Sequence, residues 1–183
     1  IYFITGIFVM GGLIRLLSLG IKPGKYPAVS LTMLQWLIYS GIYNIAHKTI
    51  LPVVPITFFS NLFFKIVGCK MGKNVYLNAW TLTDAYLIEL GDNVIIGAET
   101  DLTCHIFEGN HLIIDRIKVG KNTLIGAHCY IMPGVTIGEN CVIGVYSFIR
   151  RNNTIPDNSK ITALAGLPIK DMYRIERGQR DKD

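Results

Sequence analysis

Acidic residues are missing from the first 83 positions of this 183-residue chain. That stretch carries seven Lys or Arg and no Asp or Glu, whereas residues 84–183 carry eleven basic and thirteen acidic residues. The net charge of +5 therefore hides a half at +7 and a half at −2. Nucleic-acid binders gather their cations on a polar face; here the cations are scattered through apolar sequence, which excludes a uniformly basic binder. Charge of either sign is scarce, at 17% of residues against 50% hydrophobic, with a mean hydropathy of +0.38. Disorder requires the opposite balance. No CxxC spacing occurs among Cys69, Cys104, Cys129 and Cys141. That excludes a zinc ribbon or a redox dithiol, and the four read as reduced thiols.

A clean membrane-spanning run is also lacking. Residues 1–14 are uncharged, and Ala28 to Ala46 is a nineteen-residue run without formal charge, against the roughly 20 apolar residues a spanning helix needs. The next stretch, TILPVVPITFFSNLFF, is interrupted by Pro52 and Pro55, which kink a helix and read as an interfacial or re-entrant piece. No small-residue cleavage site ends the first run, as a signal peptide would require. Residues 1–65 are thus expected to form hydrophobic, membrane-associated helices. The competing reading is a soluble helical cap, whose outer faces should carry both charge signs. Ile1 in place of Met suggests that the chain starts inside a longer protein.

From Met71 the pattern changes to a period of six. Val119, Ile125, Ile131, Ile137, Ile143, Ile149, Ile155, Ile161 and Leu167 succeed one another at six-residue steps, the signature of a hexapeptide solenoid. Gly120, Gly126, Gly138 and Gly144 come next after the aliphatic, where a permissive turn backbone is expected. Small or β-compatible residues stand four after it: Thr123, Cys129, Val135, Cys141 and Ser147. An upstream set runs Met71, Leu77, Thr83 and, after a one-residue slip, Leu90, Ile96, Leu102. Each hexad reads as a short strand and a bend with two inward residues, and three hexads close one triangular coil. Between Leu102 and Val119 the repeat breaks at EGNHLIIDRIK.

This pattern, above all VGKNTLIGAHCYIMPGVTIGENCVIG, resembles the hexapeptide-repeat acyltransferases, in particular the galactoside and maltose acetyltransferase branch and relatives with a hydrophobic N-terminal region. The resemblance covers residues 66–175 and leaves 176–183 as a charged tail. It implies a mainly β fold, a left-handed parallel β-helix, assembled as a homotrimer that uses acetyl-CoA or another acyl-CoA between neighbouring prisms. It also implies a catalytic histidine just before a loop that leaves the prism. His105 stands there, flanked by Cys104 and Ile106 where the family often has Gly or Thr and then Pro. Neutral imidazole suits the removal of a proton from an attacking acceptor. Glu108, Asp101 and Asp84 are the carboxylates near enough to orient it, Glu108 first. The resemblance further makes Asn78 and Asp84 acceptor contacts and Ala127, Val145 and Lys170 contacts to CoA, with Arg174 beside them; the family's stacking Trp is Leu124 here.

His47, His111 and His128 are weighed beside His105, and Arg150 and Arg151 divide between a solvated turn and a CoA phosphate contact. Three prism histidines raise a γ-carbonic-anhydrase-like zinc site, but their spacing differs from that pattern and no metal is expected. A non-catalytic scaffold is the other alternative, disfavoured by the break and His105. The expectation is a membrane-associated acyltransferase, an O-acetyltransferase above all, whose acceptor is a hydroxyl of a saccharide or lipid-linked molecule. Its catalytic domain faces the cytoplasm, with acyl-CoA and no nucleic acid as partner.

Overall fold

The computed structural model describes residues 2–49, 58–78 and 81–161. Val119, Ile125, Ile131, Ile137, Ile143, Ile149 and Ile155 all point inward, none more than 6% exposed. Their hexad partners Thr123, Cys129, Val135, Cys141 and Ser147 are buried beside them, at 4% or less. The short strands stack into three parallel sheets. The first holds β2 (Lys70–Met71), β5 (Ile88–Leu90), β10 (Ile117–Val119), β13 (Thr136–Ile137) and β16 (Thr154–Ile155). The second holds β3 (Tyr76–Leu77), β6 (Ile95–Ile96), β11 (Leu124–Ile125), β14 (Val142–Ile143) and β17 (Lys160–Ile161), and the third β4 (Thr81–Thr83), β7 (Asp101–Thr103), β12 (Tyr130–Ile131) and β15 (Phe148–Ile149). From Thr136 on, each strand residue lies over the one 18 earlier, as in Lys118↔Thr136, Leu124↔Val142 and Tyr130↔Phe148, whereas the coil before it spans 29 residues because it contains the hairpin. Three hexads make one coil, and every coil buries the same side-chain set against the next.

The glycines that come after the aliphatics do not serve the turns. A Cβ on Gly120 would lie 2.5 Å from the Gly138 carbonyl carbon, and one on Gly126 would lie 2.6 Å from the Val145 nitrogen. Close stacking of successive coils, rather than a positive φ, selects glycine there. One column of left-handed corners is taken by Asn74, Asn93, Asn122, Asn140 and Asn158, with φ of 54–61°, a conformation asparagine tolerates, and a second by Glu99, His128 and Tyr146. The asparagine side chains form a ladder, each amide donating to the next, at 3.1, 2.9, 3.1 and 3.3 Å.

The lower coils depart from this regularity. Leu82, not Thr83, is the inward residue of β4, fully buried and paired with Leu102. A 3-10 turn at Ala85–Leu87 absorbs the slip before β5. The break in the repeat is a β-hairpin, β8 (His105–Glu108) and β9 (His111–Ile114), turning at Gly109 with φ 56°. β9 also pairs antiparallel with β1 (Gly24–Pro27) of the N-terminal region, a strand the period-six pattern gave no hint of.

Three helices cover these lower coils: α1 (Tyr2–Ser18), α2 (Leu31–Thr49) and α3 (Phe58–Val67). α2 starts at Ser30, whose hydroxyl accepts the Met33 N–H at 3.1 Å, and α3 ends at Gly68, φ 114°, a left-handed stop that glycine adopts without cost. Each helix buries one stripe at helical spacing: Ile7 and Ile14; Trp36, Tyr39, Tyr43 and Ala46; Phe63, Phe64 and Val67. The opposite stripes of α1 and α2 leave Phe8, Val9, Leu16, Leu34, Leu37, Ile38 and Ile45 exposed. Among the described residues no helix is long and apolar enough to cross a membrane; Pro52 and Pro55 lie outside them. The helical layer runs two residues past the expected boundary at 65, to Val67.

Candidate active site

His105 opens β8 where the hairpin leaves the third sheet. Cys104 before it is fully buried, and its carbonyl accepts the Asp115 N–H at 2.8 Å, closing the hairpin base. One coil below, Thr83 pairs with Thr103, so Asp84 arrives beside His105 in a left-handed backbone conformation, φ 59°. His105 Nδ1 and Asp84 Oδ2 are 2.6 Å apart, and the Asp84 side chain is wholly buried. With Asp84 Oδ2 as the acceptor this contact suits the Nδ1–H tautomer, in which Nε2 offers its lone pair to the open side. The other carboxylate oxygen, Oδ1, accepts the indole N–H of Trp36 at 2.9 Å. The Trp36 ring meets His105 edge-on at 4.6 Å and Phe107 at 5.6 Å. The Tyr43 hydroxyl donates to the Leu82 carbonyl at 2.8 Å, pinning α2 to β4.

The groups around this pair are tuned mainly by burial. Burial, reinforced by the Asp84 charge, pushes the hydroxyls of Tyr39, Tyr43 and Tyr86 and the thiol of Cys104 well above their ordinary values, so all four stay neutral. Burial also raises the carboxyl of Asp101 on β7, against a hydrogen bond from Thr103 and the pull of His105 and His47. A buried acceptor carboxylate, a ring with one free nitrogen and an apolar wall make an arrangement suited to taking a proton from a bound hydroxyl.

The candidates named from the sequence fall at separate places. Asp84 is not an acceptor contact in this geometry: it is buried, and both its oxygens are engaged by Trp36 and His105. Glu108 is not the carboxylate on His105; at the far end of β8 it meets Arg151 at 2.7 Å, bracing the hairpin against the prism. The hairpin's direction explains this, because three residues along an extended strand carry Glu108 roughly 10 Å away. Asn78, Ala127 and Val145 lie along the corner between the second and third sheets, at the opposite edge of the third sheet from His105. Lys170, Leu167 and Arg174 lie outside the described residues. His128 stacks on Tyr146 at 4.7 Å and meets Glu99 at 3.4 Å; His111 pairs across the hairpin with Glu108. Among the described residues no three His, Cys, Asp or Glu side chains are grouped to hold a metal ion. All four cysteines are buried and free.

Trp36 escaped the sequence reading. It lies in the uncharged run and outside the repeat; its only trace is the Trp36–Tyr39–Tyr43–Ala46 stripe at helical spacing.

Residues 116–151 match the family model described as bacterial transferase hexapeptide (six repeats). That stretch is similar to the hexapeptide-repeat transferases, and it is the upper coils that carry the likeness. Galactoside O-acetyltransferase of Escherichia coli is 34% identical over 74 residues, 36% of this chain and 36% of that protein. Delta-poly-L-ornithine synthetase of Acinetobacter baumannii is 29% identical over 117 residues, 64% of this chain but 9% of that protein. The chain thus spans about a third or less of the curated relatives it matches. Two crystal structures share the fold. A maltose O-acetyltransferase from Clostridium difficile aligns with a TM-score of 0.59 at 20% identity, over 76% of this chain and 88% of that one. A hexapeptide-repeat acetyltransferase from Vibrio cholerae, complexed with acetyl-CoA, aligns at 0.56 and 15% identity, over 82% and 94%.

Proposed function

We propose that this hexapeptide-repeat chain is an acyl-CoA-dependent acyltransferase, an O-acetyltransferase above all, with His105 as general base. The observation that carries this reading is the His105–Asp84 pair, set where the repeat breaks. Nε2 takes the proton of an acceptor hydroxyl while its oxygen attacks the thioester carbonyl carbon. The tetrahedral intermediate then collapses, the C–S bond breaks, and the imidazolium returns the proton to the departing CoA sulfur. Asp84 holds the tautomer and faces the transient imidazolium with its charge. Backbone N–H groups at the coil turns receive the oxyanion. The acetyl-CoA held by the Vibrio cholerae relative supports the donor class.

The working unit we propose is a trimer. His105 and the Ala127–Val145 corner lie at opposite edges of one sheet, so a neighbouring prism is the natural way to bring CoA to the base. The helical layer is proposed to rest on a membrane surface, supported by the exposed apolar stripes of α1 and α2 and by the all-cationic charge of residues 1–83. The acceptor is then a saccharide or lipid-linked hydroxyl near that surface, and use of acyl-CoA puts the prism on the cytoplasmic side.

Release of free CoA from acetyl-CoA, in membranes carrying wild type or His105→Ala, tests the reading. A general base contributes about 10²–10⁴ in rate, so the variant is expected to fall to background while still binding CoA. Equal rates would remove His105 from the mechanism.

A further inference from the structure

We infer that Trp36 is a positioning residue for the base, so that the site is completed by the helical layer and not by the prism alone. The inference rests on the reading of His105 as general base. Asp84 has no exposed surface, and its two oxygens receive donors from two different parts of the chain: Oδ1 from Trp36 of α2, Oδ2 from His105 of the hairpin. The indole N–H fixes the plane of the carboxylate and thereby the lone-pair direction that meets Nδ1. It also withdraws charge from the carboxylate. Without this donor, a buried oxygen is left unpaired, and the undiluted negative charge holds the imidazolium more tightly.

The placement of Trp36 is built rather than incidental. Its side chain is 5% exposed and wedged against both His105 and Phe107. α2 is tied to β4 by Tyr43, and to the end of α1 by Gln35, whose amide donates to the carbonyls of Leu17 and Leu19 at 2.8 and 2.7 Å. β1, directly before α2, pairs with the same hairpin that begins at His105.

The titratable groups facing the pair are Tyr39 and Tyr43 of α2, Tyr86 of the 3-10 turn, Asp101 of β7, and Cys104, with His47 of α2 acting on Asp101. The tyrosines and the thiol stay neutral through the working range, which leaves Asp101 as the neighbouring carboxyl to be removed in the test.

The test replaces Trp36 by Phe and, separately, by β-(3-benzothienyl)alanine, which keeps the bicyclic shape and puts sulfur where the N–H was. His105 ring signals are tracked by NMR titration, with Asp101→Asn as a background that removes the neighbouring carboxylate. Both Trp36 variants are expected to move the His105 midpoint and the acid limb of kcat/KM upward by about 0.5–1 pH unit, a three- to tenfold tighter hold on the proton. On the alkaline side, rates should largely recover. A packing role alone would depress the rate by one factor at every pH and leave the midpoint in place; a folded benzothienyl variant behaving so overturns the inference. If wild type transfers no acyl group, the proposed function fails, and the NMR midpoint alone still decides whether Trp36 acts on His105.

Discussion

The upper coils, from Val119 to Ile155, and the lower coils under the helices are made from one repeat, yet only the lower coils carry the candidate site. In the upper coils several side chains meet their own counterpart one coil away. The asparagine ladder joins like to like, and Tyr130 stacks on Phe148 at 5.5 Å with planes 5° apart. Pairs of like with like supply no base for proton transfer. In the same column of the third sheet, one coil below Tyr130, the outward residue is the carboxylate Asp101. Around it the register slips at the 3-10 turn, a hairpin leaves the prism, and α2 supplies a ring and a donor from outside the repeat. Chemistry enters where periodicity is interrupted twice in adjacent coils.

The first way to break this comparison sets inside against outside. Ile131→Ala removes a fully buried side chain between coils that cannot collapse independently, and should cost about 2–5 kcal/mol in urea unfolding. Leu34→Ser with Leu37→Ser, on the exposed stripe of α2, should change stability by no more than about 0.5 kcal/mol. The same pair should nevertheless abolish flotation with anionic liposomes. Loss of stability without loss of flotation would make that stripe part of the core and leave the membrane proposal without support.

Asn122 probes why one column of corners is asparagine. Asn122→Ala has to hold φ near 56° without the ladder bonds to Asn93 and Asn140, and should cost about 1–2 kcal/mol. Asn122→Gly accepts the backbone freely and loses only the ladder, so it should cost roughly half as much. Equal losses would assign the asparagines to the ladder rather than to the turn.

Much of this was legible in the sequence because the repeat reports its own geometry. The hexads from Val119 on fix the inward residues and the 18-residue coil, and the interruption after Leu102 marks His105. The first coil was harder, since Leu77 to Leu82 is five residues and Leu82 to Leu90 is eight. A pattern kept in steps of six selects Thr83 there and misplaces the residues beyond it. Asp84 suffered from that slip: it lies 21 residues before its partner, and only the true register sets it beside the histidine. Glu108 looked nearer because proximity along the chain ignores the direction of a strand. Trp36 could not be read at all. A tryptophan in an apolar run has the same periodicity whether it faces lipid, a core or a carboxylate, and nothing local records that its N–H has a partner 48 residues away.

The smallest expected effect tests what the lower coils give up for holding charge. Burial raises the carboxyl of Asp101 above its ordinary value, while Thr103, His105 and His47 oppose the shift less strongly. A carboxyl raised in the folded state binds its proton more readily there than in the unfolded chain. Its contribution to stability is therefore full below the unfolded value and is lost as pH rises through the folded one. At neutral pH the ionised form is a burden that the stacked aromatics above it do not carry. Asp101→Asn keeps an oxygen for the Thr103 hydroxyl and sheds the charge, so thermal unfolding at neutral pH should rise by on the order of one or two degrees. The gain should vanish in acid, where wild type is protonated as well. A lower Tm for the variant at neutral pH would mean that the attraction of His47 and His105 outweighs the burial, and that the charge at Asp101 supports the fold instead of straining it.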